Sequence, residues 1–273
     1  MRLTVLIMSA LLCLSALDAA AASLRFAPLP MVDKELMVRE FLGPVHYLSE
    51  RSGQDIELIH TANYEELINR FLRDEIDLAY IGPVPYLQLN LHAPRARPLA
   101  RFLEADGRDS YTCALVLFGD APFDPDVLAG ARLALPDPLS TCGSVSMAPL
   151  LRSRGLDPEK LHVHYSGRHD TVALAVVLGD AVLGGLKTAI ARKYASLGLR
   201  IVAESPPVPG FVLVANTRTV SAAIQARLRE ALLALPRAGD ELTQGWNASL
   251  RHGAVPADDQ DFEALRGSLR ERP

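Results

Sequence analysis

The chain has 273 residues, enough for one large domain or for two domains of about 100–150 residues each. Hydrophobic residues make up 49% and charged residues 22% of the chain, a balance that excludes a disordered or fibrous protein. The net charge of −4, without a basic patch, argues against nucleic acid as a partner.

The first 22 residues have the pattern of a secretory signal peptide. Arg2 supplies a positive start, an apolar run follows at 3–17, and the small residues at 20–22 form a cleavage site. This run is too short for a stable membrane span, and no later run approaches about 18 apolar residues. We therefore expect an exported protein that is cleaved near Ala22.

Strands and helices alternate after the signal peptide. The pattern predicts strands at 24–27, 56–60 and 76–81. Helices are predicted to begin after the capping residues Asp33 and Asn63, and another short helix follows the turn at 82–86. Pro44 is expected to kink the first helix. Such alternation favours a parallel sheet with helices on both faces.

The same pattern starts again after the polar run at 104–109. One further strand is predicted before this run, at 99–103. After it, strands are predicted at 111–118, 162–165, 181–186, 200–203 and 211–215, and helices at 170–178, 188–197 and 221–235. A proline-rich connector at 205–210 returns the chain to the first half. The sequence therefore predicts an α/β protein of two lobes joined by two crossings. Residues 23–106 plus 208–273 form lobe 1, and residues 107–207 form lobe 2.

The stretch at 133–151 is the strongest candidate for a ligand-binding loop. A short apolar strand is followed by a polar turn and by a helix that is predicted to end near Arg154. Gly143 permits the turn, and Ser140, Thr141 and Cys142 would lie near a helix N-terminus, which attracts oxyanions. The same residues could instead only cap the helix.

Two further polar residues, Tyr86 and His169, follow predicted strand ends in the same way as this loop. In open α/β sheets ligands bind outside the carboxyl ends of the strands. Two facing halves would therefore line one cleft with these residues, which favours a binding role for the loop.

Four motifs resemble the phosphate/phosphite/phosphonate family of periplasmic solute-binding proteins that serve ABC transporters. They are DLAYIGPVPYL at 77–87, DPLSTCG at 137–143, SGRHD at 166–170 and ESPPVPG at 204–210, and the similarity runs from about 24 to 262. The resemblance implies a periplasmic-binding-protein (venus flytrap) fold that closes on a small oxyanion. It also implies a periplasmic location, an ABC permease as partner, and no cofactor. We expect a monomer.

Carried over position by position, the resemblance assigns ligand contacts to residues of both lobes. These are Tyr64 and Tyr86 in lobe 1, and Ser140, Thr141, Cys142 and His169 in lobe 2. Hydroxyl and N–H donors can bond each oxygen of the anion without a full counter-charge, and lobe closure strengthens each bond by removing water.

The chain departs from the family pattern at two positions. Cys142 stands where the family usually has serine, and Val182 stands where it usually has an acidic residue. A carboxylate at 182 would accept a proton-bearing oxygen, so its absence weakens the expectation of phosphonate or phosphite. Some receptors of this family sense arsenite through a cysteine. The alternative function is therefore an arsenite-binding sensor protein that signals to a membrane sensor kinase.

Two cysteines, Cys113 and Cys142, remain after cleavage, and three interpretations stay open. A disulfide is the usual state of such a pair in an exported protein. Buried unpaired thiols are the second, since Cys113 lies in an apolar strand. The third is a thiol facing the cleft, from either cysteine, that binds a soft ligand.

An enzyme is a weaker interpretation. Cys142 near a helix N-terminus would have the lowered thiol pKa of a nucleophile in a cysteine-dependent hydrolase. Yet position 148, where the phosphatase pattern needs arginine, is alanine, and the chain has no Gly-x-Ser-x-Gly motif. We therefore expect binding without catalysis.

The remaining polar clusters carry no expected site. His162 and His164 alternate on one strand, which is more often a solvated face than a metal site, and the metal motifs His-Glu-x-x-His and Cys-x-x-Cys do not occur. The basic run of Lys187, Arg192 and Lys193 is interpreted as a solvated helix face. No metal ion is expected.

Overall fold

The computed structural model describes residues 23–91, 94–236 and 240–270. The predicted signal peptide at 1–22 and its cleavage site lie outside these residues. Within the described ranges, no helix combines the length and the apolar composition that a membrane span requires.

The structure contains two large β-sheets and a two-stranded ribbon. The strands are β1 Leu24–Pro28, β2 Ile56–Leu58, β3 Leu78–Ile81, β4 Ala96–Phe102, β5 Ser110–Tyr111, β6 Cys113–Phe118, β7 Arg132–Leu135, β8 His162–Tyr165, β9 Leu183–Lys187, β10 Leu199–Glu204, β11 Val208–Pro209, β12 Val212–Asn216 and β13 Ala254–Pro256.

Helices alternate with these strands along the chain. The α-helices are α1 Lys34–Ser52, α2 Tyr64–Leu72, α3 Pro83–Leu89, α4 Pro125–Leu128, α5 Met147–Ser153, α6 His169–Val177, α7 Thr188–Lys193, α8 Ala222–Leu233 and α9 Glu263–Arg270. The side chains of Asp33 and Asn63 accept hydrogen bonds from the backbone N–H groups of Leu36 and Glu66, both at 2.8 Å. These contacts confirm the predicted starts of α1 and α2.

Each large sheet belongs to one half of the molecule. The first sheet has the strand order β13-β4-β12-β3-β1-β2, and the second has the order β10-β6-β9-β7-β8. The fold is therefore the predicted α/β architecture of two lobes. Both sheets are mixed, whereas the alternating pattern predicted parallel ones. The chain returns from the second half at the carboxyl end of β3, so β12 runs antiparallel to β3 and β4.

The two crossings between the halves lie side by side. β5 pairs antiparallel with β11, with Tyr111 opposite Val208 and Ser110 opposite Pro209. The first half thus connects to the second through a short ribbon. The proposed lobe boundaries, 23–106 plus 208–273 and 107–207, fall in or beside this ribbon and stay a prediction.

Aromatic side chains extend from the core of the first half to the ribbon. The Phe41 ring packs against Tyr80 at 5.5 Å between centroids, and Tyr80 stacks on Phe211 at 5.1 Å. Phe211 in turn contacts Tyr111 at 5.7 Å. Such packing stabilises the core, because buried aromatic rings share large contact areas. The end of this series, at Phe211 and Tyr111, forms part of the candidate site.

Candidate functional site

The polar loop after β7 is longer than predicted. Helix α5 begins at Met147, so Ser140 and Thr141 lie in a turn and not at a helix N-terminus. Pro149 explains the late start, because its ring clashes with the carbonyl group four residues earlier and is tolerated only in the first turn of a helix. A helix that began near Ser144 would place this proline in its second turn. The turn therefore offers backbone and side-chain donors, without the dipole of a helix N-terminus.

The loop is closed by contacts with Asp137. The backbone carbonyl of Asp137 accepts a hydrogen bond from the Ser140 N–H at 3.0 Å. A Cβ atom at Gly143 would lie 2.2 Å from the same carbonyl oxygen, so only glycine fits this close approach. The Gly143 N–H donates to Ser140 Oγ at 3.2 Å. We call residues 137–143 the hydroxyl loop.

A disulfide joins Cys142 of the hydroxyl loop to Cys113, the first residue of β6. Their Cα atoms are 5.4 Å apart. This confirms the first of the three interpretations of the cysteines and corrects the other two. Both sulfurs are bonded, so the predicted ligand thiol at Cys113 or Cys142 is wrong. The arsenite-sensing alternative and the cysteine nucleophile lose their chemical basis with it.

The hydroxyl loop meets the first half through buried hydroxyl groups. Ser140 and Thr141 are 2% and 3% exposed, and Thr141 Oγ1 accepts a hydrogen bond from the Val84 N–H at 3.2 Å. The Tyr64 hydroxyl lies beside Ser140, and the Tyr111 hydroxyl lies beside Thr141. Burial raises the pKa of both tyrosines, against the smaller opposing effect of these hydrogen bonds. Both phenols therefore stay protonated and serve as neutral donors.

His169, the first residue of α6, is also neutral and buried. Its Nδ1 accepts a hydrogen bond from the Lys187 N–H at 3.0 Å, so in the neutral ring Nε2 carries the hydrogen. Burial, and after it the charge of Lys187, lowers the pKa of His169 to about 3. His169 is therefore an uncharged N–H donor over the whole neutral range.

Tyr86 does not join this group. Its hydroxyl donates to Asp259 Oδ1 at 2.7 Å, and its ring packs against Phe262 with 4.3 Å between centroids. In this structure the Tyr86 hydroxyl is therefore occupied by Asp259 and has no recorded contact with the described residues of the hydroxyl loop. The predicted ligand contact of Tyr86 stays a prediction.

Val182 lies at the wrong end of its strand to contact a ligand at the hydroxyl loop. It precedes β9, is 48% exposed, and donates its N–H to the carbonyl of Arg132. The other end of β9, at Lys187, lies five residues further, roughly 16 Å along an extended strand. An acidic residue at 182 would not reach the loop. Its absence therefore gives no reason to doubt a phosphonate or phosphite ligand.

Lys187 is the main residue of the site that the sequence did not predict. It is 4% exposed, and its Nζ lies 2.7 Å from Glu104 Oε1. Burial lowers the pKa of Lys187, and the attraction of Glu104 opposes that shift. The prediction of a solvated helix face is wrong here, because Lys187 ends β9 and precedes α7. Its position just past the predicted strand end at 186 was the signal that pointed to the cleft.

The exposed histidines form no site. All four residues of β8, which is an edge strand and includes His162 and His164, are exposed. In the part of the chain that the structure describes, no three His, Cys, Asp or Glu side chains cluster as metal ligands would.

Comparison with known proteins finds a matching protein family and a curated relative. Residues 26–262 match the model of a family described as "ABC transporter, phosphonate, periplasmic substrate-binding protein". A curated relative, the phosphate-import protein PhnD of Mycolicibacterium smegmatis, is 24% identical over 197 residues. That match takes in 63% of this chain and 59% of the relative, so the similarity spans less than two thirds of the relative's length.

Two solved structures share the fold. PhnD1 from Prochlorococcus marinus, in complex with methylphosphonate, superposes with a TM-score of 0.81 at 16% identity, over 91% of this chain and 97% of that one. The binding-protein component of an ABC phosphonate transporter from Pseudomonas aeruginosa has a TM-score of 0.77 at 17% identity, over 90% of this chain and 85% of that one. At these identities the structures confirm the two-lobed fold.

Proposed function

The chain belongs to the family of periplasmic substrate-binding proteins of phosphonate ABC transporters, and we propose that it captures a small oxyanion of the phosphonate, phosphite or phosphate class. The observation that carries this proposal is a group of buried neutral donors between the halves. Ser140, Thr141, Tyr64 and Tyr111 contribute hydroxyl groups to it. The Nε2–H of His169, whose Nδ1 is bonded to the Lys187 N–H, is proposed as a further donor. A tetrahedral anion offers oxygen acceptors in several directions, which such a group can bond.

Neutral donors suit this ligand because the site is buried. Hydrogen bonds to a charged group are worth about 1.5–3 kcal/mol each, more than bonds between neutral groups. In a low local dielectric these bonds are also electrostatically stronger than in water. Several hydroxyl donors can therefore hold the anion without a buried counter-charge, which would itself be costly to desolvate.

The ribbon of β5 and β11 is the proposed hinge. The two halves contact each other through the Val84 N–H and Thr141 Oγ1, and through Lys187 and Glu104. In this arrangement Ser140 and Thr141 of the hydroxyl loop are buried. Separation of the halves at the ribbon would break both contacts and expose the loop, which gives the ligand access.

The bound form would deliver its ligand to an ABC permease at the membrane. Family membership and the exported character predicted from residues 1–22 support a periplasmic location and such a partner. We further propose that the protein acts as a monomer and binds its ligand without converting it. No observation favours a sensor kinase as the partner.

Isothermal titration calorimetry of the protein without residues 1–22 tests the function. Methylphosphonate, phosphite and phosphate are titrated separately, with sulfate and arsenite as comparison anions, and the ligand is recovered afterwards by phosphorus NMR. We expect one-to-one binding of at least one phosphorus oxyanion, recovery of that ligand unchanged, and no arsenite signal. Absence of binding for all three phosphorus oxyanions would contradict the proposal.

A further inference from the structure

The ammonium group of Lys187 is enclosed by groups that together form a cation-binding site. Nζ lies 2.7 Å from Glu104 Oε1 and 3.5 Å from Ser249 Oγ. It also lies 4.9 Å from the ring centroid of Tyr111 and 5.0 Å from that of Phe211. We call Glu104, Tyr111, Phe211 and Ser249 the Lys187 cage.

The composition of this cage is that of a site for a cationic ligand. A carboxylate supplies the counter-charge, and two aromatic faces attract a cation through their quadrupoles. The side chains of Lys187 and Glu104 are only 5% and 14% exposed, so water contributes little to either charge. The lysine comes from the second half, whereas Phe211 and Ser249 lie beside strands of the first half. The cage is therefore completed only when the halves are together.

The cage and the hydroxyl loop share a wall. Tyr111 lies against Lys187 Nζ with its ring and beside Thr141 with its hydroxyl. Phe211 lies 3.5 Å from the Cβ position of Gly82, and Thr141 Oγ1 lies 3.7 Å from the same point. Lys187 is also joined to His169 through its backbone N–H. An oxyanion at the hydroxyl loop would thus have the cage directly beside it.

We propose that Lys187 fills a cation subsite of the ligand cleft from within the chain, and that this restricts the protein to oxyanions without an ammonium group. The inference rests on the proposed function, because it concerns the ligand of the same cleft. An aminoalkylphosphonate would bring a second ammonium group to a cage that is already occupied and neutralised. A phosphonate with an apolar substituent, or phosphate itself, would meet no such repulsion.

Two phosphonates of equal size provide the test. 2-Aminoethylphosphonate and propylphosphonate have the same number of non-hydrogen atoms, but only the first carries an ammonium group. In calorimetry the wild-type protein is expected to bind propylphosphonate about tenfold more tightly or better, since like charges repel in a desolvated site. Lys187→Ala empties the cage and is expected to raise the relative affinity for 2-aminoethylphosphonate by about tenfold or more.

Matched variants separate the cage from other effects. Lys187→Met removes the charge but keeps the volume filled, and Lys187→Ala combined with Glu104→Gln removes the counter-charge. Both relieve the repulsion, but neither offers an empty cage with a carboxylate, so each is expected to gain less 2-aminoethylphosphonate binding than Lys187→Ala. Lys193→Ala, an exposed lysine of α7, is expected to behave like the wild type. A wild-type preference for 2-aminoethylphosphonate, or the same preference in Lys187→Ala as in the wild type, would overturn the proposal.

A second measurement does not depend on phosphonate binding. Propylammonium chloride is expected to raise the melting temperature of Lys187→Ala, with sodium chloride as the ionic control, and to leave the wild type and Lys187→Met unchanged. If phosphonates bind but this rescue is absent, the cage proposal alone is wrong. If the rescue occurs but no phosphorus oxyanion binds the wild type, the proposed function is wrong. The wild-type preference between the two phosphonates stands as a test even if Lys187→Ala does not fold.

Discussion

The hydroxyl loop and the Lys187 cage share Tyr111, yet they differ in what they present to a ligand. The hydroxyl loop offers the neutral hydroxyl groups of Ser140 and Thr141, and Thr141 accepts one bond from the other half through the Val84 N–H. The cage carries two full charges that already satisfy each other at 2.7 Å. The loop is held by a covalent bond to β6, whereas the cage is held by an ion pair and aromatic faces.

We therefore assign ligand affinity to the hydroxyl loop and ligand selectivity to the Lys187 cage. Neutral hydroxyl groups can form stronger hydrogen bonds to an anion than to their present partners, so the loop is the proposed source of binding energy. A buried, paired charge gains nothing from a further cation, so the cage acts by exclusion. The two regions are also physically joined, because Cys113 lies opposite Lys187 in the β6–β9 pair and its disulfide partner lies in the loop. Each can nevertheless be altered without removing the other.

The largest expected effect is loss of stability when the cage keeps only one of its charges. Glu104→Gln leaves the Lys187 charge buried without its counter-charge, which costs about 3–5 kcal/mol of unfolding free energy for a buried pair. Urea denaturation measures this loss. The double variant Glu104→Gln with Lys187→Met is expected to recover most of it, because no unpaired charge is then buried. A Glu104→Gln protein as stable as the wild type would show that the pair is solvated.

Opening the disulfide is expected to have the next largest effect and to act on the loop. Replacing both Cys113 and Cys142 with alanine should lower the free energy of unfolding by about 2–4 kcal/mol, as is typical when a cross-link is removed. The crosslinked positions are 29 residues apart in sequence. Removal of the disulfide should also lower the affinity for methylphosphonate, whereas the preference for propylphosphonate over 2-aminoethylphosphonate should persist. If a reductant leaves the free energy of unfolding of the wild-type protein unchanged, the disulfide between Cys113 and Cys142 is contradicted.

Removal of one hydroxyl group tests the loop directly. Thr141→Val keeps the shape of the side chain but removes the donor, and methylphosphonate affinity should fall by about 1–3 kcal/mol. Tyr86→Phe is the matched control, since its hydroxyl bonds to Asp259 outside the loop, and its affinity should equal that of the wild type. A loss in Tyr86→Phe as large as that in Thr141→Val would restore Tyr86 to the site.

The pH dependence of stability tests the neutral state of His169. The pKa of His169 lies near 3 in the folded protein, below the ordinary value of 6.5. The neutral His169 ring therefore makes its full contribution to the free energy of unfolding above pH 6.5. This contribution falls as the pH decreases from 6.5 toward 3, because only the unfolded chain takes up the proton readily in that range. His169→Asn, which keeps an acceptor for the Lys187 N–H, should show a flatter melting profile between pH 7 and pH 4. An unchanged profile would mean that His169 titrates normally.

Several features of this architecture were predictable from the sequence. Local patterns predicted the starts of α1 and α2, and the restarted alternation predicted two halves. The resemblance selected Ser140, Thr141 and Tyr64, and the structure brings Tyr64 beside Ser140, while their ligand contacts stay a prediction. These features depend on residues that are close together in the sequence, so hydrophobic periodicity and short motifs are enough to predict them.

The errors arose where a side chain's direction decides its role. Tyr86 stays a predicted ligand contact, but its hydroxyl is bonded to Asp259 in this structure. Val182 was treated as a cleft residue although it lies just before the start of β9, and Lys187 at the other end of that strand was interpreted as part of a helix surface. A strand boundary misplaced by one residue therefore hid the cage. Its other members, Glu104 and Phe211, are distant in sequence and come together only through the fold.

A crystal structure of the protein with methylphosphonate is the most direct test of the account. We predict density for the phosphonate group between the halves, with its oxygens within hydrogen-bond distance of the Ser140 and Thr141 hydroxyls. Lys187 should remain paired with Glu104 in the same crystal. A phosphonate bound beside Tyr86, or bound to Lys187 with Glu104 displaced, would contradict the assignment of binding to the hydroxyl loop and of selectivity to the cage.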